Sequence, residues 1–241
     1  MIEVCFFYAL SHEAQRLQNR YNLPVSPDFE FAPVYYTSGF EFPRMPVITN
    51  TEPDRLQLFS WGLIPAWTKT SEEAEKIRSY TLNARSDSLF VKPSFKNVIR
   101  KKRCLVPASG FYEWREMGGR KYPYFIYLKD QEIFSLAGLW EEWVDKATGE
   151  LVKTYSIITT EANPLMARIH NTKKRMPVIL LRSDEEKWLE AKLQDHEIAA
   201  LTRPIDEDLM AAHTIGKLIT SRTGNRNVPA VQEPFDYGLH L

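Results

Sequence analysis

Tyr124-Phe125-Ile126-Tyr127-Leu128 and Ile133-Phe134-Ser135-Leu136-Ala137-Gly138-Leu139 flank the polar link Lys129-Asp130-Gln131-Glu132. Both runs are rich in aromatic and aliphatic residues, and each is short enough to be a strand. The pattern predicts a β-hairpin. Downstream, Trp143 leads into a turn at Asp145–Gly149, and Thr154–Thr160 returns as another strand. Strands also fit Cys104–Pro107, Met176–Leu181 and, near the N-terminus, Val4–Tyr8. Successive hairpins imply antiparallel pairing.

Helical signals are fewer. Leu10, Ala14, Leu17 and Tyr21 recur at helical spacing with Ser11 placed to cap. Pro93–Lys101 reads as a short basic helix, and Ser183 with Glu186 forms a capping box opening a helix through Leu193. Residues 22–60, rich in proline and aromatics, read as loops and short strands. The expected fold is α+β: a single β-rich domain over residues 1–241, with mainly antiparallel strands and peripheral helices. Neither G-x-G-x-x-G nor G-K-[ST] occurs and βα units do not alternate, which disfavours a doubly wound nucleotide fold.

Composition is that of a globular protein, 44% hydrophobic and 26% charged, with six Trp, eleven Tyr and thirteen Phe to fill a core. No apolar run is long enough to cross a bilayer and no signal peptide is evident, so a cytoplasmic protein is expected. Two cysteines give no disulfide framework. With five scattered histidines they also give no close-set metal ligands, so neither metal nor organic cofactor is expected. The formal charge is zero, yet basic residues cluster at Lys96–Arg103 and Arg168–Arg175, more loosely at Arg115–Lys121 and Lys217–Arg226. Segregation of this kind permits a basic face on a neutral protein, and it equally suits solvated helix faces and turns.

Four segments have the residue types for chemistry. In Trp61-Gly62-Leu63-Ile64-Pro65-Ala66-Trp67 the indoles could stack on bases, or pack in the core under a loop. In Asn83-Ala84-Arg85-Ser86-Asp87 the asparagine can orient a polar group and the arginine can fork onto a phosphate; alone, the segment reads as a turn or helix cap. Glu113, within Gly110-Phe111-Tyr112-Glu113-Trp114, sits among aromatics where desolvation favours holding a proton, although an outward glutamate on a strand fits the alternation as well. His170 precedes Arg175-Met176-Pro177 and has an imidazole suited to proton transfer at neutral pH; a structural role suits a lone histidine too. Cys5 and Cys104 by themselves read as small buried hydrophobes.

Taken in order, an early Cys, W-G-L-I-P-x-W, N-A-R-S-D, R-C-L-V-P-A-x-G-F-Y-E-W, and I-H followed by R-M-P-V-I-L resemble the SRAP family, the SOS-response-associated peptidases or abasic-site processing proteins. The matching blocks run from residue 5 to about 181. The resemblance implies a nucleophilic Cys5 at a mature N-terminus, Asn83 positioning the reacting sugar, and Glu113 and His170 in the active site. It also implies DNA contacts from Trp61, Trp67, Arg85 and Arg175. The implied activity is a covalent thiazolidine crosslink to an abasic site in single-stranded DNA, with autoproteolytic processing as a possible addition; nothing in the sequence demands more than a monomer.

Departures from the family pattern accompany the match. The chain begins Met1-Ile2-Glu3-Val4-Cys5-Phe6-Phe7 where the family has M-C-G-R, so Cys5 has a free amine only once residues 1–4 are absent. A GTG start at Val4, or self-cleavage before Cys5, would provide it. The spacer Asn171–Lys174 is longer than in the family, and an Asn-x-Ala-Pro loop is not evident around Val34–Phe40. Two rival readings stay open: a thiol peptidase using Cys5 with His170, and a non-catalytic single-stranded DNA-binding module.

Overall fold

The computed structural model describes residues 6–24 and 29–239. Thirteen strands are described: β1 (Phe7–Leu10), β2 (Val34–Ser38), β3 (Arg44–Thr49), β4 (Glu52–Trp61), β5 (Asn83–Arg85), β6 (Arg103–Ala108), β7 (Gly110–Met117), β8 (Arg120–Leu128), β9 (Phe134–Val144), β10 (Leu151–Glu161), β11 (Arg175–Pro177), β12 (Ile179–Leu180) and β13 (Met210–Thr214). Five short helices accompany them: α1 (Ala14–Arg20), α2 (Ser71–Arg78), α3 (Pro164–Ile169), α4 (Arg182–Leu189) and α5 (Asp195–Leu201). The α+β, largely antiparallel fold class expected from the sequence is what forms. Among the described residues no helix is long and apolar enough to cross a membrane.

Two sheets carry the architecture. Strands β10, β4, β3, β6 and β9 pair in that order, and β9 pairs back to β10, so five strands close into a small barrel. Closure removes the free edges that an open sheet would present. The second sheet runs β13-β8-β7-β1-β2. Its Tyr8, Leu10, Phe111, Tyr124, Ile126 and Leu128 join the barrel residues Phe59, Trp61, Val106, Leu136, Leu139 and Tyr155 in one core. The opposite face, with Ala9, Tyr112 and Phe125, is covered by Ile215, Ile219 and Val231 near the C-terminus.

The close approach of strands within the barrel has a glycine behind it. A Cβ on Gly138 would lie 2.7 Å from Cys104 Sγ and 2.8 Å from Val106 Cγ2, so only hydrogen leaves room there. Outside the barrel, α4 packs on β6. Trp188 Nε1 donates to Cys104 O at 3.0 Å, and Arg103, fully buried, donates from Nε to Trp188 O at 2.9 Å and from Nη1 to Ile99 O at 2.8 Å. Its Nη2 donates to Glu190 O.

Several local expectations are corrected. The runs at 124–128 and 133–139 are both strands, but they do not form a hairpin: β8 pairs with β7 and β13, and β9 with β6, β10 and β12. The link between them carries the chain from one sheet to the other. The β9–β10 hairpin forms as expected, in register from Leu151↔Val144 to Ile157↔Gly138. Met176–Leu181 divides, β11 pairing with β10 and β12 with β9.

Helix α1 is entered through Glu13, because Ser11 bonds Ser109 instead. Residues 93–101 form separate turns, closed by Lys96 N to Lys92 O and Ile99 N to Phe95 O. Helix α4 starts at Arg182 behind Leu181 and stops at Leu189, while the capping box belongs to Gln194 and Glu197 at the start of α5. The N-terminal strand begins at Phe7; Val4 and Cys5 lie outside the described residues.

Candidate active site

Strand β7 sets Glu113. Its register with β8 (Phe111↔Ile126, Glu113↔Tyr124) and with β1 (Tyr8↔Phe111) puts these side chains on the face toward the shared core. Glu113 is thereby buried among aromatics, at 6% exposure, and not outward as simple alternation equally allowed.

His170 arrives from another element. Asn163 caps α3 by accepting from Met166 N at 2.9 Å, and its amide nitrogen donates to Ile205 O at 2.9 Å. The helix ends at His170, and α3 packs against β7. His170 Nε2 then lies 3.9 Å from Glu113 Oε2, with both side chains 8% exposed. That separation is too long for a direct hydrogen bond and leaves both groups able to reach one polar atom of a bound substrate.

The other ring nitrogen, Nδ1, is 3.3 Å from Arg175 O and 3.4 Å from Arg175 N. The carbonyl contact takes a proton on Nδ1 and leaves the Nε2 lone pair facing Glu113, whereas the Arg175 N–H donates to an unprotonated Nδ1, so the tautomer follows which of the two bonds is made. Burial pushes the His170 pKa below its usual 6.5; the bond to Arg175 O opposes this and the Lys173 charge adds to it. The ring is accordingly held neutral near physiological pH, as a proton acceptor must be.

The longer spacer Asn171–Lys174 closes into a turn, with Lys174 at φ +50° and its N–H on His170 O at 2.9 Å. Asn171 fastens this turn to β7. Its Oδ1 accepts from Glu116 N at 3.1 Å and its Nδ2 donates to Glu116 O at 2.8 Å. The side chain thus mimics a strand partner three residues beyond Glu113. This residue was missed from sequence, where it counted only as an insertion.

Asn83 and Arg85 lie on β5, a short strand parallel to β10 (Asn83↔Ile157, Arg85↔Thr159), in place of the turn or helix cap that the segment alone suggests. Asn83 is buried at 1% exposure. Strand β11 pairs with the same stretch of β10 (Thr159↔Pro177, Glu161↔Arg175), which brings Arg175 close to Arg85. Asp87 joins the two. It accepts from Arg85 Nε at 3.2 Å and Nη2 at 2.6 Å, and from Arg175 Nη1 at 3.3 Å. Arg175 Nη2 is anchored on Thr159 O at 2.8 Å.

The two tryptophans separate. Trp61 is fully buried, donates Nε1–H to Leu82 O at 2.8 Å, and packs between Tyr8 and Tyr155. It has no exposed face for a base, so its expected contact with DNA is corrected to a core role. Trp67 is 57% exposed. The basic run at 96–103 is also largely committed, since Arg103 is buried and Arg100 pairs with Asp195 at 2.6 Å. Tyr124, cross-strand from Glu113, was not anticipated; its buried hydroxyl has no hydrogen-bond partner among the described residues. Among those residues no group of three His, Cys, Asp or Glu is placed to hold a metal. Cys104 is buried, and burial pushes its thiol pKa far up, so it is no thiolate. Cys5 lies outside the described residues; Phe6, bonded to it, accepts from Gly39 N at 2.8 Å.

Comparison with known proteins points one way. The family model for SOS response associated peptidase (SRAP) matches residues 4–222. The chain is 36% identical over 225 residues to the abasic site processing protein YoqW of Bacillus subtilis, covering 92% of this chain and 96% of that one. It is 35% identical over 201 residues to the abasic site processing protein HMCES of Gallus gallus, covering 74% of this chain and 57% of the relative. A solved structure of a Bacteroides thetaiotaomicron protein superposes with a TM-score of 0.91 at 43% identity, covering 96% of this chain and 100% of that one.

Proposed function

The chain belongs to the SOS response associated peptidase family, and from that premise we propose that it binds single-stranded DNA and traps abasic sites covalently through Cys5. The observation that carries this reading is the buried Glu113–His170 pair, 3.9 Å apart, with the His170 ring against the Arg175 backbone and with Asn83, Arg85 and Arg175 on strands that pair with β10.

The chemistry needs a free amine and a thiol on one residue. The ring-opened abasic deoxyribose exposes an aldehyde. The Cys5 amine adds to its carbonyl carbon, and loss of water gives an imine. The Cys5 sulfur then adds to the imine carbon while the nitrogen takes a proton, closing a thiazolidine. The second addition is intramolecular and gains a high effective concentration, up to about 10⁵ M or more for well-oriented groups. His170, neutral, accepts the proton released on opening the sugar; Glu113 moves protons during carbinolamine dehydration and reversal. Asn83 orients the sugar, Arg85 and Arg175 hold backbone phosphate, and Trp67 stacks on a neighbouring base.

Residues 1–4 must be absent for this to work. A GTG start at Val4 followed by removal of the initiator, or cleavage of the peptide bond before Cys5, would leave the amine free. Incubating the chain beginning at Cys5 with a single-stranded oligonucleotide carrying one abasic site should give a heat-stable crosslink that is lost in Cys5→Ala. A crosslink that persists in Cys5→Ala, or none from the chain that begins at Cys5, would sink the proposal. Salt-sensitive binding with no crosslink would point to the non-catalytic module.

A further inference from the structure

We propose that the Asp87 carboxylate occupies the phosphate position of this site in the free protein, and that DNA must displace it. The inference rests on the reading above, in which Arg85 and Arg175 hold a backbone phosphate.

Arg85 presents its Nε and Nη2 edge to Asp87, at 3.2 and 2.6 Å. That edge is the fork by which a guanidinium takes two oxygens of a phosphate. Arg175 reaches the same carboxylate with Nη1, at 3.3 Å, while its Nη2 stays on Thr159 O. Two cations from two different strands therefore converge on one anion, much as they would on a phosphodiester.

Exposure says which parts are fixed and which can yield. The Arg175 side chain is 15% exposed and tied to β10, whereas those of Arg85 and Asp87 are about half exposed, at 48% and 51%. Asp87 sits in the helical turn Ser86–Ser88 that follows β5, beyond the strand ladder. A carboxylate there can swing into solvent without breaking a backbone pair. Its remaining hydrogen-bonding environment is local, with Ser88 as a neighbour. Asp87 pre-arranges the two arginines when DNA is absent, and it opposes DNA when DNA arrives, because two anions compete for one fork. An exposed charge pair is a weak lock, which suits a stand-in that must leave.

The test measures non-covalent binding of the full chain to a single-stranded oligonucleotide containing a tetrahydrofuran abasic analogue, which lacks the aldehyde, across a salt series. Asp87→Asn, with Asp87→Ala as a second variant and melting curves to confirm folding, should bind about two- to fivefold more tightly at low salt. The slope of log K against log salt should steepen by about 0.7, one additional cation released to a single strand. Arg85→Ala and Arg175→Ala should each weaken binding. If Asp87→Asn binds equally or more weakly while both arginine variants lose affinity, Asp87 only positions the arginines and the competition is wrong. If the arginine variants bind like the parent, no phosphate sits there, and the competition falls together with the reading beneath it.

Discussion

Glu113 and His170 face each other across 3.9 Å, although one belongs to the middle of a strand and the other to the end of a helix fifty-odd residues later in the chain. The pair is not local in sequence. It exists because α3 packs on β7 and because burial keeps both groups from water.

The first consequence concerns pH. Burial holds the folded-state pKa of His170 below the ordinary 6.5, so the unfolded chain takes up that proton first as pH falls. The stability this residue confers is complete above about pH 6.5 and is lost as pH drops through the folded-state value. Melting temperatures recorded from pH 7.5 down to 5 should therefore fall more steeply for the parent than for His170→Gln. In histidine side-chain NMR, His170 should titrate below the ordinary 6.5; titration at or above that value would contradict the burial argument.

A second consequence concerns Asn171. Its two bonds to the Glu116 backbone fix the turn that carries His170 onto β7. If His170 moves the proton in the crosslinking proposed above, Asn171→Ala should slow single-turnover crosslinking of the chain beginning at Cys5 by about tenfold or more, since small misplacements of such a group are costly. Affinity for the tetrahydrofuran analogue should stay within a factor of two, because no phosphate contact is lost. A drop in affinity with an unchanged rate would place Asn171 in binding instead.

How much of this was legible in the sequence depends on the range of the interaction. The β9–β10 hairpin was readable because its turn and its strands adjoin, with Asp145 N on Glu150 O closing it. The β8 and β9 strands were readable as strands but not as members of different sheets, since alternation reports burial and not the neighbour across the ladder. Trp61 and Trp67 look alike in one motif, yet a hydrogen bond to Leu82 and a stack on Tyr155 bury the first alone. Arg103 was counted in a basic cluster, whereas three carbonyls take up its guanidinium. Glu113, His170, Asn83 and Arg175 were nameable through their ordered motifs; that β10 gathers Asn83 and Arg175 required the pairing.

Arg103 yields the third prediction. Its buried fork satisfies the carbonyls of Ile99, Trp188 and Glu190, tying the end of α4 to β6. Arg103→Met keeps much of the volume and strands these acceptors, each worth about 1–3 kcal/mol if left unpaired. The urea midpoint should shift by the equivalent of about 3 kcal/mol or more. Arg103→Lys should recover only part of it, because an ammonium is not a fork. A loss under about 0.5 kcal/mol in Arg103→Met would mean that water replaces the guanidinium.

The last prediction separates the two tryptophans. Trp61 fills the junction of both sheets against Tyr8 and Tyr155, so Trp61→Ala leaves a large cavity and removes one of the two donors to the Leu82 carbonyl, the other being Ile157 N. A loss of about 3–5 kcal/mol is expected. Trp67, mostly exposed, contributes little packing, and Trp67→Ala should melt within a few degrees of the parent. If Trp67 stacks on a base, the same change should weaken single-strand binding by the equivalent of about 1–3 kcal/mol, with little change in the salt slope, because stacking releases no counterion. Trp67→Phe, which keeps a ring face, should retain most of the affinity. Loss of binding in Trp67→Ala together with a flattened salt slope would instead mean that the indole supports a nearby cation.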